Sequence, residues 1–186
     1  MIRIGLDLDN CIFDSEPIYK KAFEGTKYTY FLPPKYKISE SYPKEIVDNL
    51  LFLFKTSITY TTKPFDPTLA NYINNLINTK KCEFHVITAR VSFNDPLLDT
   101  YNQLQYYNFQ ISLNNIHITT FNKIPVINQY NLNYMLDDNP YVIEDCLNTK
   151  TIPILITNEK TPYNQYLKDK VKWYINVKNA LKDIIK

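Results

Sequence analysis

Short apolar runs separated by amphipathic stretches set the rhythm of this chain. The runs at residues 2–8, 83–88, 115–119, 133–137 and 151–157 are rich in Ile, Leu and Val and mostly lack polar alternation. That pattern fits strands buried on both faces. Helical stretches lie between them, near residues 67–78, 96–107, 123–130 and 140–147, and a last one covers 177–185. Asp66-Pro67, Asp95-Pro96 and Asn139-Pro140 each place a capping side chain before a proline at the first helical position. Ser15, with Pro17 in the first turn, marks another start, and Asn122 before Lys123 a weaker one. Strands alternating with helices predict an α/β fold, a Rossmann-like parallel sheet of about five strands with helices on both faces.

The rhythm breaks once. Between the first run and Phe65 lie roughly fifty residues, too many for a simple connection. They carry helical patterns near 16–24 and 43–55 around an aromatic, proline-rich segment, Tyr28-Thr29-Tyr30-Phe31-Leu32-Pro33-Pro34. We expect a small helical cap at 14–63, inserted after the first strand into an α/β core made of 1–13 and 64–186.

Composition removes several function classes. At 186 residues and 22.0 kDa the chain suits one domain with a small insertion. Its two glycines, Gly5 and Gly25, cannot write a GxGxxG dinucleotide loop or a GxxxxGK[ST] phosphate loop. The two histidines have no HExxH spacing, and His85 and His117 read as sheet-packing residues inside strands. Cys11, Cys82 and Cys146 form no CxxC pair, disulfide framework or zinc knuckle. No run of eighteen apolar residues is present, which predicts no membrane span. The N-terminus reads as a core strand rather than a signal, so we expect a cytoplasmic protein (host cytoplasm for a viral one). A net charge of +2 is too small to imply nucleic acid by itself, which leaves it the lesser option as a partner. The lysines between 168 and 186 read as a solvated face, and the heavy use of Asn, Ile, Lys and Tyr fits an AT-rich coding sequence rather than chemistry.

In open parallel sheets, ligands bind at the carboxyl ends of the strands. There the sequence puts Asp7-Leu8-Asp9-Asn10, Thr88-Ala89-Arg90, Lys123 at a helix start, and Asp137-Asp138-Asn139. Four carboxylates on one edge cannot all stay ionised without compensation. Lys123 offsets one charge, and a divalent cation offsets more. All-oxygen ligands favour a hard ion such as magnesium, which takes carboxylates together with phosphate. A phosphate ester fits that setting, held by the cation, Lys123, Thr88 and backbone N–H groups.

Asp7-x-Asp9, Thr88, Lys123 and Asp137-Asp138 resemble, in order and spacing, the four motifs of the haloacid dehalogenase-like (HAD) phosphatase superfamily. The resemblance covers nearly the whole chain and includes an insertion where that superfamily places its first cap. It implies that Asp7 is the nucleophile taking the phosphoryl group, and that Asp9 protonates the leaving oxygen and then activates water. It implies that Thr88 and Lys123 hold phosphoryl oxygens. Asp7, Asp137 and the backbone carbonyl of Asp9 would bind Mg2+, and Asp138 would support that site without binding the ion directly. Arg90 either contacts substrate phosphate or pairs with a carboxylate.

Within the superfamily, the run Asp7-Leu-Asp-Asn-Cys-Ile-Phe-Asp14 and the short cap look most like the 5′(3′)-deoxyribonucleotidase group. Asn10 stands where that group has glycine, and Asn is the residue that best replaces glycine at positive φ. The implied substrate is a nucleoside monophosphate, with Phe13, Tyr19, Phe23 and Tyr42 available to stack on a base, although aromatics at helical spacing also build cores. The rival readings are a polynucleotide-end phosphatase and a non-catalytic binding module on the same fold. Oligomeric state is left open by the sequence, a homodimer included.

Overall fold

The computed structural model describes residues 1–120 and 122–185. Lys186, the last of the C-terminal lysines, lies outside them. In chain order the first strand is β1 (Ile2–Leu6), followed by a short strand β2 (Phe13–Asp14). The helices α1 (Glu16–Phe23), α2 (Ile38–Ser41), α3 (Lys44–Thr56) and α4 (Ile58–Thr61) come next, and β3 (Lys63–Pro64) closes that segment. Then follow α5 (Leu69–Asn78), β4 (Cys82–Thr88), α6 (Pro96–Tyr106), β5 (Ile116–Ile118), α7 (Ile124–Gln129), β6 (Tyr134–Asp137) and α8 (Pro140–Cys146). The chain ends with β7 (Ile152–Ile156), a 3₁₀ segment at Pro162–Leu167, β8 (Lys172–Tyr174) and α9 (Val177–Ile184).

Six strands form one parallel sheet in the order β5-β4-β1-β6-β7-β8. The five expected apolar runs are the first five of these strands. The sixth, β8, has only Trp173 and Tyr174 as apolar residues and sits at the edge, where a strand needs no long buried run. Ile4 and Leu6 of β1 pack with Phe84 and Val86 of β4 against Leu69 and Ile73 of α5, Leu104 of α6 and Leu181 of α9. Ile87 and Met135 point to the opposite face, under Ile127 of α7 and Val142 of α8. Helices therefore cover both faces, and β1 lies near the middle of the sheet.

Capping chemistry explains the helix starts. Asp95 accepts N–H bonds from Leu97 and Leu98 at 2.9 and 3.2 Å, and Asn139 accepts one from Tyr141 at 3.0 Å. Asn122 accepts from Ile124 N at 3.0 Å. Asp66 bonds Thr68 N at 2.7 Å, so regular helix begins at Leu69, slightly later than the proline suggested. Ser15 departs from expectation. Its hydroxyl is buried and makes no capping bond, and Asp14 accepts from Glu16 N instead, at 3.0 Å.

The helical segment has an apolar core of its own, built from Ile18, Phe23, Tyr42, Ile46, Leu50 and Ile58 among others. It leaves and rejoins the sheet through the antiparallel pair β2–β3, where Phe13 faces Pro64 and Asp14 faces Lys63. Lys160, from the loop after β7, ties down the outgoing side by pairing with Asp14 at 2.6 Å and Glu16 at 2.8 Å. His85 and His117 do pack in the sheet, with 3.1 Å between Nδ1 and Nε2 and the Tyr130 ring against both. Lys168 stacks over Trp173 at 4.4 Å, an amphipathic use of a lysine on the C-terminal face.

Gly5 marks a close approach. A Cβ there would sit 2.5 Å from Met135 Sδ and 2.8 Å from Leu132 Cδ1, both buried. Overpacking a full core costs about 1–3 kcal/mol. Gly5→Ala should therefore lower the unfolding free energy by that amount, read as a lower urea midpoint at unchanged m-value, and an unaltered midpoint would show that the two side chains yield freely.

Candidate active site

Strand order brings the predicted residues to one edge. β1 lies between β4 and β6, with Leu6 in register with Val86 and with Leu136. The residues that follow, Asp7 after β1, Thr88 at the end of β4 and Asp137 at the end of β6, thus meet at the carboxyl edge. Asp7 N donates to Leu136 O at 2.9 Å, which fixes the start of the loop. Lys123, just before α7, sends its ammonium between two carboxylates, 2.5 Å from Asp7 Oδ1 and 2.8 Å from Asp137 Oδ2. The other oxygen of Asp137 accepts from Asn139 N at 2.9 Å. Asp138 accepts from the Tyr163 hydroxyl, and its carbonyl accepts from Asn164 Nδ2 at 2.7 Å.

Charge at this edge is poorly balanced. Asp7, Asp137, Asp138 and Lys123 are all less than 7% exposed, and one ammonium faces three carboxylates. Burial pushes Asp7 up to about 7; Lys123 pulls it back, while Asp137 and Asp9 push it further up. Asp138 is held well above the usual carboxylate range, by burial first and then by Asp7 and Asp137, partly offset by the Tyr163 bond. Burial alone would lower the Lys123 value, but Asp137 and Asp7 outweigh it, so the ammonium stays charged. Carboxylate oxygens of Asp7, Asp137 and Asp138 lie within 4.8 Å of one another. A buried all-oxygen group short of positive charge fits a hard divalent cation such as magnesium. Asp138, expected only to support that site, stands within ligating reach alongside the other two.

The loop after Asp7 turns at Asn10, whose φ of 61° is the left-handed conformation anticipated from the glycine it replaces. The N–H groups of Ile12 and Phe13 both donate to Leu8 O at 2.8 Å and close the turn. Asn10 Nδ2 donates to Tyr163 Oη at 3.1 Å, which links this turn to Asp138. Asp9 is turned away from the carboxylate trio. Its two oxygens accept from Arg90, Oδ2 from Nε at 2.9 Å and Oδ1 from Nη2 at 2.7 Å. Arg90 is buried, donates also to Gln103, and lies over the Phe13 ring at 5.3 Å. In this structure it takes the carboxylate-pairing role, one of the two open to it from sequence. Thr88 is buried at the end of β4, and its carbonyl accepts from Thr119 N at 2.9 Å.

The four aromatics proposed for base stacking divide. Phe13 is wholly buried in the sheet core against Tyr107 and Phe109, because β2 belongs to the sheet side of the neck. Phe23 and Tyr42 are 6% exposed and pack edge-on to each other inside the helical insertion. Tyr42 also donates its hydroxyl to Phe31 O at 2.9 Å. These three are core residues, a correction that follows from their helical and neck spacing. Tyr19 is half-buried, and its phenol is raised by burial and then by the charges of Asp138 and Asp9. Tyr36, which the sequence did not single out, responds by burial and then to Asp138, Asp137 and Asp7. Its ring meets Tyr163 at 5.5 Å and Tyr141 at 5.9 Å. Tyr36 thus reaches toward Asp138 through Tyr163, while the Tyr19 ring packs against Tyr42 and Phe54 of the insertion. A lone aromatic between lysines after Pro33-Pro34 was the available signal for Tyr36, since no helix period accounts for it. Tyr163 and Asn164, in a polar 3₁₀ segment, gave no comparable signal.

No family model matches this sequence, and no curated protein matches it either. Solved structures do share its fold. A predicted phosphatase from Clostridium acetobutylicum superposes with a TM-score of 0.61 at 18% identity, over 98% of this chain and 97% of that one. A hydrolase of the haloacid dehalogenase-like family from Streptococcus pneumoniae gives 0.60 at 14%, covering 93% and 92%. A HAD-superfamily hydrolase from Ehrlichia chaffeensis gives 0.58 at 11%, covering 98% and 95%. The chain has the fold of the HAD hydrolases. Among the described residues no helix is long and apolar enough to cross a membrane.

The raised Asp7 value has a thermodynamic sign. The folded state keeps a proton on Asp7 up to about 7, whereas the ordinary value is 3.8. Between those limits the folded state binds more protons, so this group's contribution to stability declines as pH rises. In metal-free buffer the melting temperature of wild type minus that of Asp7→Asn should fall between pH 4 and pH 7 and level off above. A flat or rising difference would contradict the account of charge crowding.

Proposed function

We propose that this chain is a magnesium-dependent phosphomonoesterase acting through an aspartyl phosphate on Asp7, with a nucleoside monophosphate as substrate. The observation that carries the reading is the buried trio Asp7, Asp137 and Asp138, the first two bridged by Lys123, at the carboxyl edge of a sheet shared with phosphatases. Asp7, Asp137 and Asp138 are the residues that would hold the cation. Bound magnesium would supply charge neutralisation for the phosphoryl oxygens.

The protein's own groups do the rest. An oxygen of Asp7 attacks phosphorus as the ester P–O bond breaks, and Asp9 delivers a proton to the departing oxygen. Lys123 neutralises one phosphoryl oxygen and Thr88 donates a hydrogen bond to another. Water then attacks the aspartyl phosphate, Asp9 accepts its proton, and phosphate leaves with Asp7 regenerated. Since both oxygens of Asp9 accept from Arg90, proton delivery requires one of those bonds to be exchanged for the leaving oxygen.

A small substrate is favoured because the helical insertion packs Tyr36 against Tyr163, the partner of Asp138, and so sets an aromatic beside the carboxylates. Aromatic faces stack bases, at about 1–3 kcal/mol per base where this has been measured. The test is a panel of nucleoside monophosphates, a sugar phosphate, p-nitrophenyl phosphate and a 3′-phosphorylated oligonucleotide, each with magnesium or EDTA. Nucleoside monophosphates should lead the sugar phosphate by about tenfold in kcat/KM, within the range that stacking allows. Tyr19→Ala or Tyr36→Ala should erase that lead and spare p-nitrophenyl phosphate, while EDTA or Asp7→Asn should abolish all turnover. Equal kcat/KM across the small esters removes the nucleotidase reading; a lead for the oligonucleotide reassigns the substrate; full activity in EDTA ends the metal reading.

A further inference from the structure

A buried polar chain runs from Asp9 to the point where the helical insertion returns to the sheet. Arg90 grips Asp9 with Nε and Nη2 and donates its Nη1 to Gln103 Oε1. Gln103 lies on α6 and is 4% exposed. Its amide nitrogen donates to Thr62 Oγ1 at 3.0 Å and approaches the Thr62 carbonyl at 3.4 Å. Thr62 is fully buried between α4 and β3, donates its hydroxyl to Ile58 O at 2.7 Å, and receives a bond from the Tyr107 hydroxyl at 3.3 Å. The partners fix the Gln103 amide in one orientation, oxygen toward the guanidinium and nitrogen toward the threonine.

Such a network is costly to bury unless each member is satisfied. Gln103 is flanked on α6 by the buried Thr100 and Leu104, and an apolar residue at its position would leave Nη1 of the buried Arg90 without its partner. Asp9 and the Phe13 ring hold the rest of the Arg90 guanidinium. What Gln103 adds is a link from the Asp9–Arg90 pair to the returning strand of the insertion.

We propose that Gln103 is a positioning residue for Asp9: it fixes Arg90 relative to Thr62, so that the placement of the proton donor and the seating of the insertion are one event. This rests on the phosphatase reading above, with Asp9 as the group that protonates the leaving oxygen.

Leaving groups provide the test. A p-nitrophenolate leaves without help, whereas an alkoxide needs a proton, and proton donation contributes about 10²–10⁴-fold where it is needed. Gln103→Met keeps the volume and removes both hydrogen bonds. It should lower kcat on an alkyl phosphate by about 10–100-fold, part of the full contribution of proton donation, with p-nitrophenyl phosphate reduced less than about threefold and KM little changed. Gln103→Glu keeps an acceptor for Arg90 and loses the amide donor. It should restore most of the alkyl phosphate rate, while the backbone amides of Thr62 and Lys63 exchange faster than in wild type. Thr62→Val, which removes only the hydroxyl and stays foldable if Gln103→Met does not, should show the same selective loss in smaller measure, about threefold, part of what proton donation contributes. Equal losses on both esters, or none, in folded variants would overturn the positioning role while leaving the phosphatase reading intact. A wild-type protein that hydrolyses neither ester would overturn both.

Discussion

The ammonium of Lys123, wedged between Asp7 and Asp137, is the contact on which this site depends. Three carboxylates are buried at one edge of the sheet, and burial of uncompensated charge costs several kcal/mol per ion. A single lysine cannot balance them, and the raised values of Asp7 and Asp138 express the shortfall. The fold accepts this because β1 and β6 are central strands whose ends have nowhere else to go. The same shortfall is what a hard cation and a phosphate ester would turn to use: Asp7, Asp137 and Asp138 would hold the cation, which would offset their charge, and Lys123 would be available to a phosphoryl oxygen.

Around that centre the polar side chains divide into two arms. On one side Asn10, Tyr163 and Asn164 hold Asp138, and Tyr163 carries the ring of Tyr36 from the insertion. On the other, Arg90 and Gln103 connect Asp9 to Thr62. Each arm joins a carboxylate of the edge to a different part of the insertion. Lys160, bound to Asp14 and Glu16, secures the outgoing neck strand as Gln103 secures the returning one. The insertion is therefore tied to the carboxylates by a hydrogen-bonded chain on one side and a ring contact on the other, as well as by its two covalent connections.

Much of this was legible in the sequence, for identifiable reasons. Buried parallel strands must be continuous apolar runs, and proline after Asp or Asn announces a helix start, so the order of elements followed from pattern alone. The carboxyl-edge rule then placed Asp7, Lys123 and Asp137 together before any coordinates. Edge strand β8 escaped because three residues, Lys172-Trp173-Tyr174, are too few to display a strand period. Phe13, Phe23 and Tyr42 were misplaced because an aromatic's position in sequence does not say which side of a small helical unit it faces. Gln103 and Tyr163 were invisible because a buried polar residue is recognised by its partners, and those are 41 and 25 residues away. With two glycines in the chain, Asn10, Asn108 and Asn131 fill left-handed positions at turns. Only the first was foreseen, since only it stood inside a recognisable motif.

The central claim is that Asp7 takes a phosphoryl group in a pocket completed by a divalent cation. Beryllium fluoride is a phosphoryl mimic that bonds a carboxylate oxygen, and its capture can be read by fluorine NMR together with the melting temperature. With magnesium present, the wild-type protein should show new protein-bound fluorine resonances and a higher melting temperature. Both should vanish in Asp7→Asn and in EDTA. Bound fluorine signals that persist in Asp7→Asn would place the phosphoryl site elsewhere and contradict the account.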